Sequence, residues 1–307
     1  MIVRDRPNGL RLFLTMRGSI LTSIWKSLLI TTLLAVLVTW SHGRLWQYKV
    51  HLTITPFTLM GLPLAIFLGF RNNSAYDRYW EGRKLWGELV LRSRNFAREC
   101  LSLVDPAPGQ EHVRERMIRR AIGFAHALRH NLRRTDPEQD VAPHLAPAEW
   151  AALRTRPNVT HAIMLEMGAD LARCRNAGML DSVRAAALDA TISAMVATGA
   201  SCERIKNTPV PFSYTLLLHR TAYMYCFLLP FGLVDSIGYL TPLVVAIVAY
   251  TFYGLDALGD EIEEPFGLSP NDLPLDAICR AIEIDLRDAL GDPELPPPLA
   301  PVNYWLR

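Results

Sequence analysis

The chain has 307 residues, half of them hydrophobic and a fifth charged, and its mean hydropathy of +0.13 is high for a soluble globular protein. This composition excludes an intrinsically disordered chain and a disulfide-stapled mini-domain. Lysine plus arginine (32) nearly balance aspartate plus glutamate (30), and a net charge of +2 makes no field that would recruit a nucleic acid.

Residues 1–19 form a basic leading segment with Arg4, Arg6, Arg11 and Arg17. Ile20 to Trp40 then carries one charge, Lys26, close enough to one end for its ammonium to snorkel to lipid headgroups. This run is too long for a signal-peptide core and no small-residue cleavage site follows, so it reads as a retained span. Leu52 to Phe70 has no charge and reaches about 28 Å as a helix, enough for a second span. Together they predict a transmembrane hairpin over residues 20–70.

Residues 71–211 are charged and helix-compatible, with breaks at VDPAPGQ, RTDPEQDVAPHLAP and TRPN that predict two or three helices of a cytosolic domain. Within it, Ser182 to Ile205 places Val183, Ala187, Ala190, Ala194 and Ala197 near one helix face, suited to close packing or to a second subunit. A second hairpin occupies residues 212–257, from the apolar runs Thr221 to Val234 and Ile237 to Leu255. The first run is short and crosses only by recruiting the turn with His219 and Arg220; otherwise the hairpin is re-entrant. Residues 258–290 predict a cytosolic segment with a helix from Asp276 to Leu290. The proline-rich tail, 291–307, is a solvated extension, a strap or a docking point for a soluble protein partner.

Buried helices of a large soluble protein show the same periodicity, but four apolar runs favour a membrane. Basic residues agree: fourteen lysines and arginines lie between Arg71 and Arg134, against only Arg44 and Lys49 in the loop from Ser41 to His51. The positive-inside rule then places both termini and the middle in the cytoplasm. Five cysteines without a close pair, four of them in the reducing cytoplasm on this topology, read as thiols.

The second span runs without a break into RNNSAYDRYWEGRKLWGELV, where Tyr76, Tyr79, Trp80, Arg83, Trp86 and Val90 recur at helical spacing, as on an aromatic helix crossing the headgroup layer. Pro63, Gly61 and Gly69 loosen the span, so freed carbonyls must face protein or water. Leu62, Ile66 and Phe70 stand at i, i+4 and i+8 on one stripe. Taken alone, such a stripe reads as ordinary helix packing; repeated around a ring it makes stacked apolar collars that gate by dewetting.

The motif Arg71, Asn72, Asn73, Tyr76, Arg78, Trp80, Glu81, Arg83, Trp86 and Gly87 directly after an apolar span, with EEPFGLSPNDLPLD (Glu263 to Asp276) after the last one, resembles the bestrophin family and its bacterial branch. The likeness is dense over residues 53–90 and 207–290. It implies an all-α polytopic membrane protein with four transmembrane helices per subunit and a cytosolic helical domain. It further implies a homopentameric ring with a central pore lined by the second span and a neck at Leu62, Ile66 and Phe70. A cytosolic aperture at Leu180 is a further expectation of the resemblance. The bacterial branch points to sodium or potassium as the permeant monovalent ion, with chloride as the alternative, in a bacterial inner membrane.

Other chemistry finds less support. Asp256, Asp260 and Glu261, with Glu263 and Glu264, are oxygen donors that a hard cation can use, but acids at helical spacing seldom converge on one ion. Animal bestrophins place a run of acids after the PFG motif, where this chain has only Asp272 and Asp276. His126 and His130 form an HxxxH pair without an evident third ligand. No phosphate-cradling loop or nucleophile elbow is present, so no cofactor and no enzymatic activity are expected. A membrane enzyme would need His219, Arg220 and Asp235 to converge. A membrane scaffold would work through the helical middle and the tail.

Overall fold

The structure, a computed structural model, describes residues 1–4, 9, 15–16, 18–45, 48–49, 52–110 and 112–307. Arg6, Arg11 and Arg17 lie outside the described residues. The elements in chain order are α1 (Leu21–Trp40), the two-residue strands β1 (Arg44–Leu45) and β2 (Tyr48–Lys49), α2 (Ile54–Leu103) and α3 (His112–Arg133). They continue with α4 (Glu138–Val141), α5 (Pro147–Leu153), α6 (Val159–Asn176), α7 (Ser182–Asn207), α8 (Phe212–Ile237), α9 (Thr241–Glu263) and α10 (Leu275–Ala289). The architecture is all-α; the strands form one short antiparallel pair, Arg44 opposite Lys49.

The chain divides into two compact units. One comprises residues 4–79 and 209–264, and holds α1, the first half of α2, α8 and α9. Its interior is built from Phe57, Leu64, Leu68, Leu229, Val245 and Tyr253. The outward side of α1 is also apolar, with Leu29, Ile30, Leu33, Leu37 and Trp40 exposed. A helix apolar on all sides suits hydrocarbon as its solvent. Hydroxyl pairs supply the polar ties: Thr31 Oγ1 lies 2.9 Å from Tyr253 Oη, and Ser27 Oγ lies 3.4 Å from Tyr223 Oη.

Among the described residues, four helical stretches are long and apolar enough to cross a membrane: Leu21–Trp40, Ile54–Leu103, Ser182–Asn207 and Phe212–Glu263. The last contains α8 and α9, joined at Gly238, whose φ of +54° is a conformation L side chains rarely adopt. The four expected spans overlap α1, α2, α8 and α9, with the run from Ile237 entering α9 only after a 3-10 turn, and α8 starts well before Thr221, at Phe212. Its 26 residues reach about 39 Å, which supplies the length the apolar run lacks. The stretch the sequence reading did not anticipate is α7, which meets the same length and composition test.

The other unit comprises residues 1–3, 80–208 and 265–307. Trp86, Phe96, Met117, Ile122, Leu128 and Ile282 are buried in it. An ionic cluster sits beside this core: Asp170 is fully buried and accepts from Arg116 at 2.7 Å, from Arg173 at 2.8 Å and from Arg120, which also donates to Glu149 at 2.7 Å. More helices form here than the two or three expected, because the break at 134–147 itself holds α4 and a 3-10 turn, Ala142–His144. The tail is a strap within its own unit. Val3 N–H donates to Tyr304 O at 2.8 Å, and Ala277 N–H, in the first turn of α10, donates to Arg307 O at 2.8 Å.

Candidate pore helix and its anchor

The 50-residue helix α2 carries nearly every residue singled out for function. It is about 75 Å long. Pro63 deletes the hydrogen bond to the Leu59 carbonyl, yet the helix continues through it because neighbouring turns and tertiary packing hold the backbone in register. In its first half the buried side chains are Phe57, Leu64, Leu68, Arg71 and Ala75, a single stripe at helical spacing.

Leu62, Ile66 and Phe70 lie on the opposite side. They are 66%, 47% and 59% exposed, so the stripe faces away from the interior of its own unit. Successive collars along it are about 6 Å apart. Asn73 and Asp77 continue the same side and are exposed as well.

Arg71 occupies the first position after this stripe and points the other way. Its side chain is fully buried, donates to Asp256 Oδ1 at 2.8 Å and to the Asp256 carbonyl at 3.3 Å, pairs with Asp260, and lies 3.9 Å from Glu263 Oε2. Asn72 donates through Nδ2 to the Leu255 carbonyl at 3.0 Å, and Arg78 Nε donates to the Glu263 carbonyl at 3.0 Å. Three side chains of the RNN segment and its next turns thus fasten α2 to the last two turns of α9. Gly259 makes the approach possible: a Cβ there would stand 2.5 Å from Asn72 Oδ1. His219 of α8 adds a bond of 2.6 Å from Nδ1 to Asp256 Oδ2, and Tyr214 donates to the Phe67 carbonyl at 3.1 Å.

The acids considered as cation ligands therefore have other work. Asp256 and Asp260 neutralise a buried guanidinium, so their oxygens are engaged by Arg71 rather than arranged around an open ion position. Glu261 is half-buried on the same helix. Asp272 accepts from Ser269 N–H at 2.7 Å, closing a turn. The signal for the anchor was present in sequence as the i, i+4 pair Asp256 and Asp260 at the end of an apolar run, but the pairing with Arg71 lies 185 positions away and no local pattern reveals it.

The remaining motif residues divide by burial. Trp86 is fully buried, whereas Tyr76, Trp80, Arg83 and Gly87 are exposed, with the Arg83 guanidinium 5.2 Å over the Trp80 ring. Glu81 accepts from Arg204 at 2.7 Å. Leu180 is 3% exposed, because the chain tucks it inside the unit just before Asp181 caps α7; Val183, at 80%, is the apolar side chain presented there. His219 and Asp235 stand sixteen residues apart on α8, about 24 Å along its axis, so the groups a membrane enzyme would need do not converge.

A multi-pass helical membrane protein whose longest helix turns an apolar stripe away from its own core is the class these features define. A sequence model described as Bacterial/Fungal Bestrophin protein matches residues 1–288, and the chain belongs to that family. It is 45% identical to a voltage-dependent anion channel-forming protein of Mesorhizobium japonicum, over 99% of this chain and 96% of the relative. It is 40% identical to the voltage-dependent anion channel-forming protein YneE of Escherichia coli K12, over 99% of each chain. Among solved structures, a bacterial bestrophin homologue from Klebsiella pneumoniae matches with a TM-score of 0.83 at 37% identity, covering 87% of this chain and 98% of that one. The family and its named relatives are ion channels, not enzymes.

Proposed function

We propose that this protein is a passive ion channel of a bacterial inner membrane, a homopentamer with both termini in the cytoplasm. Five copies of α2 line its axis, and Leu62, Ile66 and Phe70 form a hydrophobic neck. The observation that carries the reading is the exposure of these three large apolar side chains on the side of α2 turned away from its own unit. Facing an axis, they would make three collars that exclude water until they widen. The exposed positions of Val183, Ala187 and Ala190 on α7 support contact with a second copy.

Apolar collars do not read charge, so selectivity comes from polar groups near them. Asp77 is the nearest charged side chain on the neck side of α2, seven residues beyond Phe70, and a ring of five such carboxylates favours monovalent cations, sodium or potassium. The alternative, an anion-selective channel, is favoured by the names of the relatives at 40–45% identity. Current through the purified protein in a planar bilayer under a sodium chloride gradient tests both. Reversal near the sodium equilibrium potential supports the cation reading and reversal near that of chloride supports the anion reading. Absence of current from verified oligomers refutes the channel.

A further inference from the structure

Away from the neck, three metal-ligating side chains that are far apart in sequence meet. His126 of α3, His144 of the Ala142–His144 turn and Glu283 of α10 each offer one ligand atom, all within 4.8 Å of one another. His126 Nε2 lies 3.6 Å from Glu283 Oε2, and His144 Nε2 lies 3.9 Å from Glu283 Oε1. The three residues are 3%, 9% and 7% exposed. Among the described residues, both nitrogens of His126 and Nδ1 of His144 are buried without a hydrogen-bond partner. An unsatisfied buried polar atom costs about 1–3 kcal/mol, and native folds rarely leave both nitrogens of one imidazole that way.

We propose that His126, His144 and Glu283 form a binding site for a divalent transition metal of the zinc class, with water as the fourth ligand. Two imidazole nitrogens and one carboxylate oxygen are a borderline-soft donor set that suits zinc and not calcium, which takes six to eight oxygens. Tetrahedral zinc with ligands at about 2.1 Å sets the ligand atoms about 3.4 Å apart, so atoms that already lie within 4.8 Å of one another need to draw together by at most about 1.4 Å. The imidazoles are 10° from parallel with centroids 5.7 Å apart, and rotation of one ring about its Cβ–Cγ bond aims its nitrogen at the ion.

Two arginines compete for Glu283: Arg280 Nε at 3.4 Å and Arg287 Nη1 at 3.3 Å. Arg287 also holds Asp292 at 2.8 Å and the Glu294 carbonyl at 2.7 Å, so it stays paired when Glu283 turns to an ion. Arg280 is 29% exposed and can turn to water. A bound ion would tie α10 to α3 and raise the stability of their shared core. The HxxxH pair is not this site: His130 bonds Thr135 at 2.7 Å and Asp140 at 2.8 Å.

The test uses the full-length oligomer in detergent, freed of any histidine tag, stripped with a chelator, equilibrated with zinc chloride and passed through a desalting column. About one zinc per subunit by mass spectrometry, a higher melting temperature with zinc, and two imidazoles per zinc by X-ray absorption are expected. His126→Gln and His144→Gln should each weaken zinc binding at least about tenfold, while exposed His161→Gln should not. Wild-type protein that retains no zinc, an absorption spectrum without two imidazoles, or unchanged affinity in His126→Gln overturns the site. The two wild-type readouts decide the matter even if a variant fails to assemble.

Discussion

Replacing Arg71 with methionine removes the guanidinium that fastens α2 to α9. The side chain is fully buried and Asp256 is 4% exposed, so the substitution leaves Asp256 in a low-dielectric site with the 2.6 Å contact to His219 Nδ1 as its remaining side-chain bond. Breaking a buried pair from one side costs about 3–5 kcal/mol. Asp260 is 56% exposed and returns to water, so it adds little. Burying methionine instead of an arginine whose Nε lacks a partner among the described residues gives back about 1 kcal/mol. The net loss of about 2–4 kcal/mol should lower the melting temperature by roughly 5–10 °C, since about 2–4 °C accompanies each kcal/mol in chains of 150–250 residues and less in longer ones. Thermal melts of tryptophan fluorescence at fixed protein and detergent concentration measure it. The double variant Arg71→Met with Asp256→Leu should recover much of the loss, because no buried charge is then left alone. A melt of Arg71→Met within about 2 °C of wild type, or a double variant whose loss is the sum of the singles, refutes the anchor.

Ile66→Ala, and more strongly the triple variant with Leu62→Ala and Phe70→Ala, should widen the neck and raise single-channel conductance with little change in melting temperature, since all three side chains are exposed in the subunit; unchanged conductance in an assembled triple variant removes them from the gate. Burial raises the Asp170 carboxyl, but hydrogen bonds from Arg116 and Arg173 and the charge of Arg120 lower it overall, so it ionises below the usual 3.8. A carboxyl depressed on folding stabilises above its unfolded value, and that contribution should disappear as pH falls from about 4 through the folded value. Asp170→Asn should flatten that acid limb of a stability-against-pH curve and cost about 3 kcal/mol at neutral pH. All five cysteines are buried thiols, with burial pushing Cys279 up to about 12, so a maleimide should label none in the native oligomer and all five after denaturation.

Local chemistry along the chain determined the spans. Runs of bilayer length with no charge, or with Lys26 alone, made α1, α2 and α9 legible, and the uninterrupted pattern from Leu52 to Val90 already indicated that the second span continues beyond the membrane. The Leu62, Ile66 and Phe70 stripe was readable for the same reason, because i, i+4 spacing is a property of one helix. Its direction was not: an apolar stripe looks alike whether it faces a core or an axis, and only the burial of Leu64, Leu68 and Arg71 on the other side shows which way it turns. The end of the tail was also undetermined, since a proline-rich strand with no helix of its own takes its place from whatever it pairs with, here residues 1–3 and the start of α10. Arg71 with Asp256, and His126 with His144 and Glu283, are tertiary meetings of residues on separate helices. Side chains that far apart in sequence carry no shared period or spacing. Charge and donor type mark each as a candidate, but chain folding alone decides which of the many candidates become neighbours, and so which acids neutralise an arginine and which histidines face a common point.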